Sequence, residues 1–304
     1  MDACPTLNML KVADHTLRCK ICNQVTTLVG EKRGRLLERA FEIVRCPACG
    51  FAFVANPWTE FDKVYSQAYY EGRGADPLVD YDFELEHPDE SIRDYEWAGL
   101  VQVVSTLLKE KETFRWLDYG CAHGGLVRFV RQTSGIEMYG FEEGWIAEKA
   151  RQSGIPLLDR AALVNQGGSF DVVTAIEVLE HVLDPLETLR HVRSLLKPGG
   201  LFYFSTGNAR KQREQLLAWP YLIPEIHISL YEPGTLALAL EKTGFRAEYS
   251  GYLAGHSKMI QARVLKKLRV KKKSWWQSCV PCRLLAPVID KKVGFTEQPI
   301  GWAV

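Results

Sequence analysis

The chain has 304 residues, of which 46% are apolar and 25% charged, and its net charge is +1. That suits one large globular domain with a small one, or two of ordinary size. The near-neutral balance supplies no global field to recruit nucleic acid or an acidic membrane. No apolar run reaches the roughly 18 residues a bilayer-spanning helix needs. The start, MDACPTLNML, lacks a basic segment followed by a long apolar core. It does not read as a signal peptide, and the expected compartment is the cytoplasm. There thiols stay reduced, and paired cysteines point to metal before disulfide.

Residues 1–55 hold two knuckles, Cys19-x-x-Cys22 and Cys46-x-x-Cys49, with 23 residues between them. The second reads CPACG, where proline sets the approach and glycine lets backbone N–H groups turn toward sulfur. Four thiolates at this spacing suit a closed tetrahedral zinc site, structural rather than catalytic. A module this small buries little core, so zinc would supply on the order of 10 kcal/mol of its folding free energy. Residues 56–95 are acidic and rich in Tyr and Trp without clear periodicity, and are taken as a linker or lid.

From residue 96 the pattern alternates between helix and strand. Leu100, Val103, Val104, Leu107 and Leu108 recur at helical spacing. Phe114–Tyr119 is a short buried strand, and a helix begins at Leu126. Ile136–Glu142 is a second strand and Trp145–Gln152 a helix. Ile155–Asp159 is a third strand. Phe170–Ile176 (FDVVTAI) is a continuous β-branched run, typical of a parallel strand covered on both faces. Asp184-Pro185 opens a helix with Asp as cap, and Lys197-Pro198-Gly199-Gly200 closes it. Leu201–Ser205 is the next strand. Such an order implies right-handed crossovers and a doubly wound α/β sheet.

Two features in this core suggest a ligand. WLDYGCAHGG (Trp116–Gly125) joins the first strand to its helix, with small residues that let a backbone approach a ligand closely. Glu142 closes the next strand in YGFEEG, where a carboxylate can accept from both hydroxyls of a ribose. Taken alone, each also fits an ordinary tight turn and an ordinary strand-end acid.

Together, WLDYGCAHGG, YGFEEG, FDVVTAIEVLEHVLDP and LLKPGGLFYFST resemble, in order and spacing, the class I S-adenosylmethionine-dependent methyltransferases. The resemblance implies a Rossmann-like seven-stranded sheet with an antiparallel last strand. The methyl donor would lie across the carboxyl edge of the first two strands. Asp118, Gly120, Cys121 and Gly124 would then shape the donor loop, and Glu142 would hold the ribose. Asp159 or Arg160 would stand near adenine, and Glu177 would close the pocket. The family usually has glycine where Ala122 stands and a small polar residue where His123 stands. The ribbon followed by Tyr65, Tyr69 and Tyr70 is similar to methyltransferases of bacterial sugar and exopolysaccharide clusters. In those the ribbon packs over the acceptor, and tyrosines line it; packing between the domains is the alternative for these three.

EVLEHVLDP places Glu177, Glu180 and His181 after the fourth strand, in the crevice of an open α/β sheet. A base is needed only where the acceptor must lose a proton. Candidates are His181, His227 (in PEIHISLYEPGTL) and Tyr231, each of which also fits a packing role. The core spans 96–255, and 256–304 forms a helical extension with a closing strand over Glu297–Val304. Within it Lys266, Lys267, Arg269, Lys271, Lys272 and Lys273 precede Trp275-Trp276, a solvated helix face or a peripheral contact with an anionic membrane through 266–276. Cys279-x-x-Cys282 lacks a second pair and is read as non-metal.

The expected activity is methylation of a small-molecule acceptor, a nucleotide-linked sugar or glycan precursor, at oxygen or carbon. Nucleic acid is not the expected partner. Two other readings stay open: an RNA methyltransferase that grips RNA with its ribbon, and a non-catalytic scaffold that keeps the fold.

Overall fold

The computed structural model describes residues 17–304 apart from 77, 78, 80, 110, 280 and 281. The segment MDACPTLNML and Cys4 lie outside the described residues. Among the described residues, eleven strands form two sheets. In chain order they are β1 (Thr27–Arg33), β2 (Ala40–Arg45), β3 (Ala52–Val54), β4 (Arg115–Tyr119), β5 (Glu137–Phe141), β6 (Leu157–Leu158), β7 (Phe170–Ile176), β8 (Leu196–Ser205), β9 (Ser229–Leu230), β10 (Phe245–Glu248) and β11 (Ile300–Ala303).

The large sheet has seven strands in the order β10-β11-β8-β7-β4-β5-β6. β11 runs antiparallel to both neighbours, whereas β8, β7, β4, β5 and β6 pair in parallel. This is the Rossmann-like sheet that the sequence implied. Side-chain alternation along each strand divides its residues between two cores. Leu117, Val173 and Phe202 pack with the helices Pro185–Leu195 and Pro233–Lys242. Trp116, Val172 and Leu201 pack with Arg93–Leu107, Gly125–Ser134 and His256–Lys267. Covered on both faces, β7 is buried nearly throughout.

Local chemistry sets the element ends. Asp184 caps the helix Pro185–Leu195 by accepting from Glu187 N at 2.9 Å, with proline in its first turn. Helix Gly125–Ser134 is bounded by Gly124 and Gly135, both left-handed. Two expectations shift. The helix before Lys197 ends at Leu195, and the KPGG stretch already belongs to β8. The closing strand spans Ile300–Ala303 only. EVLEH is a single 3₁₀ turn over Leu179–His181, preceded by Glu177 at φ 55°.

The small sheet has the order β1-β2-β3-β9. Its last strand comes from the other end of the chain: Ala52 and Phe53 of β3 pair with Leu230 and Ser229 of β9. The N-terminal module is therefore completed by the segment just after His227.

Candidate active site

A loop and its ledge lie where β4 and β5 end. Gly120 N and Cys121 N both donate to Phe141 O, at 2.8 and 3.1 Å, which ties the loop to the tip of β5. Gly120 and Gly124 each sit at φ 79°. A Cβ would come within 2.6 Å of Val178 at the first and of Ile155 at the second, so neither position admits a side chain. Ala122, where glycine is usual, also takes a left-handed φ of 49°. That conformation costs an alanine roughly 1–2 kcal/mol, and Ala122 N donates to Glu142 Oε2 at 2.8 Å. Cys121 turns its thiol inward, against Gly140.

Burial holds the Glu142 carboxyl up to about 6, although two backbone N–H groups donate to it. Asp118 is buried, accepts from Thr174 Oγ1 at 2.8 Å, and is pushed by burial to about 7. Arg93 Nε and both ring nitrogens of His123 are buried without a hydrogen-bond partner among the described residues. Arg93 is ion-paired with Glu96 and lies 3.6 Å from Glu84, which also stands 3.3 Å from His123 Nε2; the carboxyls of Asp118 and Glu142 nearby fit a ligand carrying an ammonium and a hydroxylated sugar. An S-adenosylmethionine molecule has that character, with an ammonium to meet an acid and ribose hydroxyls to meet a carboxylate. Asp159 is an exposed helix cap that accepts from Ala162 N at 2.7 Å.

Glu177, Glu180, His181 and His227 come together beyond β7. Burial opposes the charge on Glu177, but the Arg263 guanidinium, 2.7 Å away, outweighs it and holds the acid at about 2. Glu180 is only 1% exposed, and burial, reinforced by the charge on Glu177, raises it to about 8. It accepts from Thr206 Oγ1 at 2.7 Å and from the Tyr221 hydroxyl, which also reaches Glu177. His181 Nδ1 lies 2.9 Å from Ile226 O, and His227 Nδ1 contacts Tyr221 O. A carbonyl only accepts, so each Nδ1 carries the proton and each Nε2 keeps its lone pair. Burial lowers both imidazoles, His227 to about 3, so both are neutral near pH 7. The rings stand 4.9 Å apart. Ligand-type atoms of Glu180, His181 and His227 lie within 4.8 Å of one another, so one proton, cation or hydroxyl can be shared among them.

Tyr231 stands in the core instead. Its hydroxyl donates to Leu179 O at 2.8 Å and its ring packs on Phe51. The segment after the ribbon folds over the crevice. Tyr65 Oη lies 2.8 Å from His181 Nδ1, Tyr69 packs edge-on against Tyr65, and Tyr70 stacks on Trp145. Tyr81, not singled out in the sequence, packs on His123. This aromatic layer spans the Gly120–Gly124 loop and the cluster of Glu180, His181 and His227.

The four cysteines cluster, with Sγ–Sγ distances of 3.5 Å (Cys19–Cys49) and 3.4 Å (Cys22–Cys46). Tetrahedral zinc with bonds of about 2.3 Å sets its sulfurs about 3.8 Å apart, a spacing this cluster reaches with little movement. The module grips the crevice side of the fold. Lys20 Nζ donates to Leu183 O, Arg45 pairs with Glu232 at 2.6 Å, and Leu36 N donates to buried Glu225.

Sequence reasoning missed Arg93, Thr206, Tyr221 and Arg263. The last lies 86 residues from its partner Glu177, and no local spacing announces such a pair. Comparison with known proteins adds the following. A family model described as a methyltransferase domain matches residues 90–250. A ubiquinone biosynthesis O-methyltransferase of Ruegeria pomeroyi is 44% identical over 103 residues, covering 31% of this chain and 41% of that protein. Its counterpart in Bordetella avium is 36% identical over 107 residues, covering 31% and 43%. The chain thus spans less than half the length of these curated relatives. An S-adenosylmethionine-dependent methyltransferase structure from Mesorhizobium loti is 21% identical, covering 58% of this chain and 94% of that one with a TM-score of 0.43.

Proposed function

The chain belongs to the methyltransferase domain family, and on that premise we propose that it moves a methyl group from S-adenosylmethionine to a hydroxyl oxygen of a small molecule. The observation that carries this reading is the pair of neutral imidazoles, His181 and His227, each with Nδ1–H turned to a carbonyl and Nε2 left basic. The bound donor supplies a methyl already activated by its sulfonium. The protein's own residues orient, exclude water and take a proton. Asp118 and Glu142 hold the donor's polar groups, while Tyr65, Tyr69 and Tyr70 close the crevice to water. His181 Nε2 accepts the proton of the acceptor hydroxyl, and the neighbouring charge on Glu177 favours the resulting imidazolium. His227 packs on His181 and orients the acceptor hydroxyl.

The relatives named for ubiquinone biosynthesis support O-methylation. The ribbon-and-tyrosine arrangement, similar to enzymes of sugar clusters, supports a nucleotide-linked sugar or glycan precursor as acceptor. The four-cysteine cluster is read as a structural zinc site, which keeps β3 against β9 and so holds the His227 loop. Assay with methyl-labelled donor against nucleotide sugars and phenols tests the reading. His181→Gln should keep donor affinity and lose about 10²–10⁴-fold in kcat. If neither it nor His227→Gln changed kcat, the assignment of the base would be wrong.

A further inference from the structure

The extension between β10 and β11 carries a surface that methyl transfer does not use. Large apolar side chains lie open there, among them Leu268, Trp275, Trp276, Leu284, Leu285 and Val288. Trp275 is 82% exposed, Leu284 76% and Val288 61%. Leu284, Leu285 and Val288 occur at i, i+1 and i+4 in the helix Cys282–Val293, so they share one face, and Lys291 and Lys292 continue it by one turn. The opposite face, with Ala286 and Asp290, is buried toward the helix His256–Lys267.

The basic run divides in two. Lys272 pairs with Glu90, and Lys273 pairs with Asp94 at 2.5 Å; these two clamp the run onto the body. Lys267, Arg269, Lys291 and Lys292 are exposed and make no ion pair among the described residues. Unpaired cations beside exposed Trp and Leu form an amphipathic surface that suits the headgroup region of a bilayer. Apolar side chains enter the acyl boundary, tryptophan sits at the interface, and lysines meet anionic headgroups.

We propose that the extension around Trp275 and the Leu284–Lys292 face docks the protein on an anionic lipid bilayer. Charge complementarity favours lipid carrying net negative headgroups over a zwitterionic surface. The same extension sends Arg263 to Glu177 and Gln298 to Thr206 N, so docking would set the crevice close to the membrane plane. The inference needs neither the methyl donor nor the acceptor.

Co-sedimentation of the full chain with vesicles tests it, using phosphatidylcholine alone and phosphatidylcholine mixed with phosphatidylglycerol. Binding should appear only with the anionic vesicles and should weaken as salt rises. Lys291→Gln with Lys292→Gln should weaken it about 25-fold, at roughly 5-fold per lysine. Trp275→Ser with Leu284→Ser should also release the protein; both pairs are exposed, so folding, checked by circular dichroism, should persist. No binding to anionic vesicles, or binding unchanged in both double variants, overturns the proposal. So does a dimer in solution that Leu284→Ser dissociates, which would assign the face to a second copy. Retention by RNA but not by vesicles would likewise overturn it.

Discussion

Replacing Glu180 by glutamine should make the protein more resistant to alkali. In the unfolded chain this carboxyl loses its proton near 4.5, whereas the folded site holds it until about 8. Between those values the folded state binds one more proton, so stability falls as pH rises. The full 3.5-unit gap corresponds to a ceiling of about 5 kcal/mol at 1.36 kcal/mol per unit. Glu177 sits in the same cluster, and titration is shared between the two acids, so about 2–3 kcal/mol is the expected part from Glu180. Glutamine has the same shape, and the hydroxyls of Thr206 and Tyr221 can rotate to accept from its amide. Thermal unfolding followed from pH 5 to 8.5 should therefore decline for the parent protein and stay flatter for Glu180→Gln. At roughly 2 °C per kcal/mol, the gap near pH 8 should be about 4–6 °C. Below pH 4.5 the two curves should meet, since both side chains are then neutral. Parallel curves over the whole range would refute the argument that burial and Glu177 keep this proton in place.

Glu142→Ala should weaken donor binding by roughly 1.5–3 kcal/mol, measured by calorimetry, because hydrogen bonds to a charged group are lost. Unchanged affinity would remove Glu142 from the ribose site. Cys46→Ser should release zinc and expose the ribbon to protease. Because β3 pairs with β9, it should also lower kcat through the His227 loop; a metal content equal to that of the parent protein would contradict the zinc site. Tyr231→Phe should cost about 1 kcal/mol of stability in urea unfolding, from the hydrogen bond to Leu179 O, with kcat unchanged. A kcat loss larger than the stability change explains would return Tyr231 to the chemistry.

Much of the scaffold could be read from local pattern. The strand Phe170–Ile176 and the helix Trp145–Gln152 occur at the bounds their sequence indicated. The cap at Asp184 forms as its Asp-Pro pair implied. These signals are carried by neighbours a few residues apart: apolar runs, helical spacing, a side chain that bonds the next turn. The turn around Gly120 and Gly124 and the acid Glu142 were legible for the same reason. So were the paired cysteines.

What the tertiary structure decided depends on groups that meet only after folding. Glu177 acquires its charge from Arg263, and Glu180 keeps its proton through burial, reinforced by Glu177. Tyr231 is drawn into the core by Phe51 of the ribbon. Lys272 and Lys273 become struts to Glu90 and Asp94, while Lys291 and Lys292 remain open. Local pattern gave the strands and the paired cysteines, and the resemblance of those motifs to a known family implied the seven-stranded sheet and the loop around Gly120. Protonation state and the division between packing and chemistry came from burial and from distant partners, which act through space rather than along the chain.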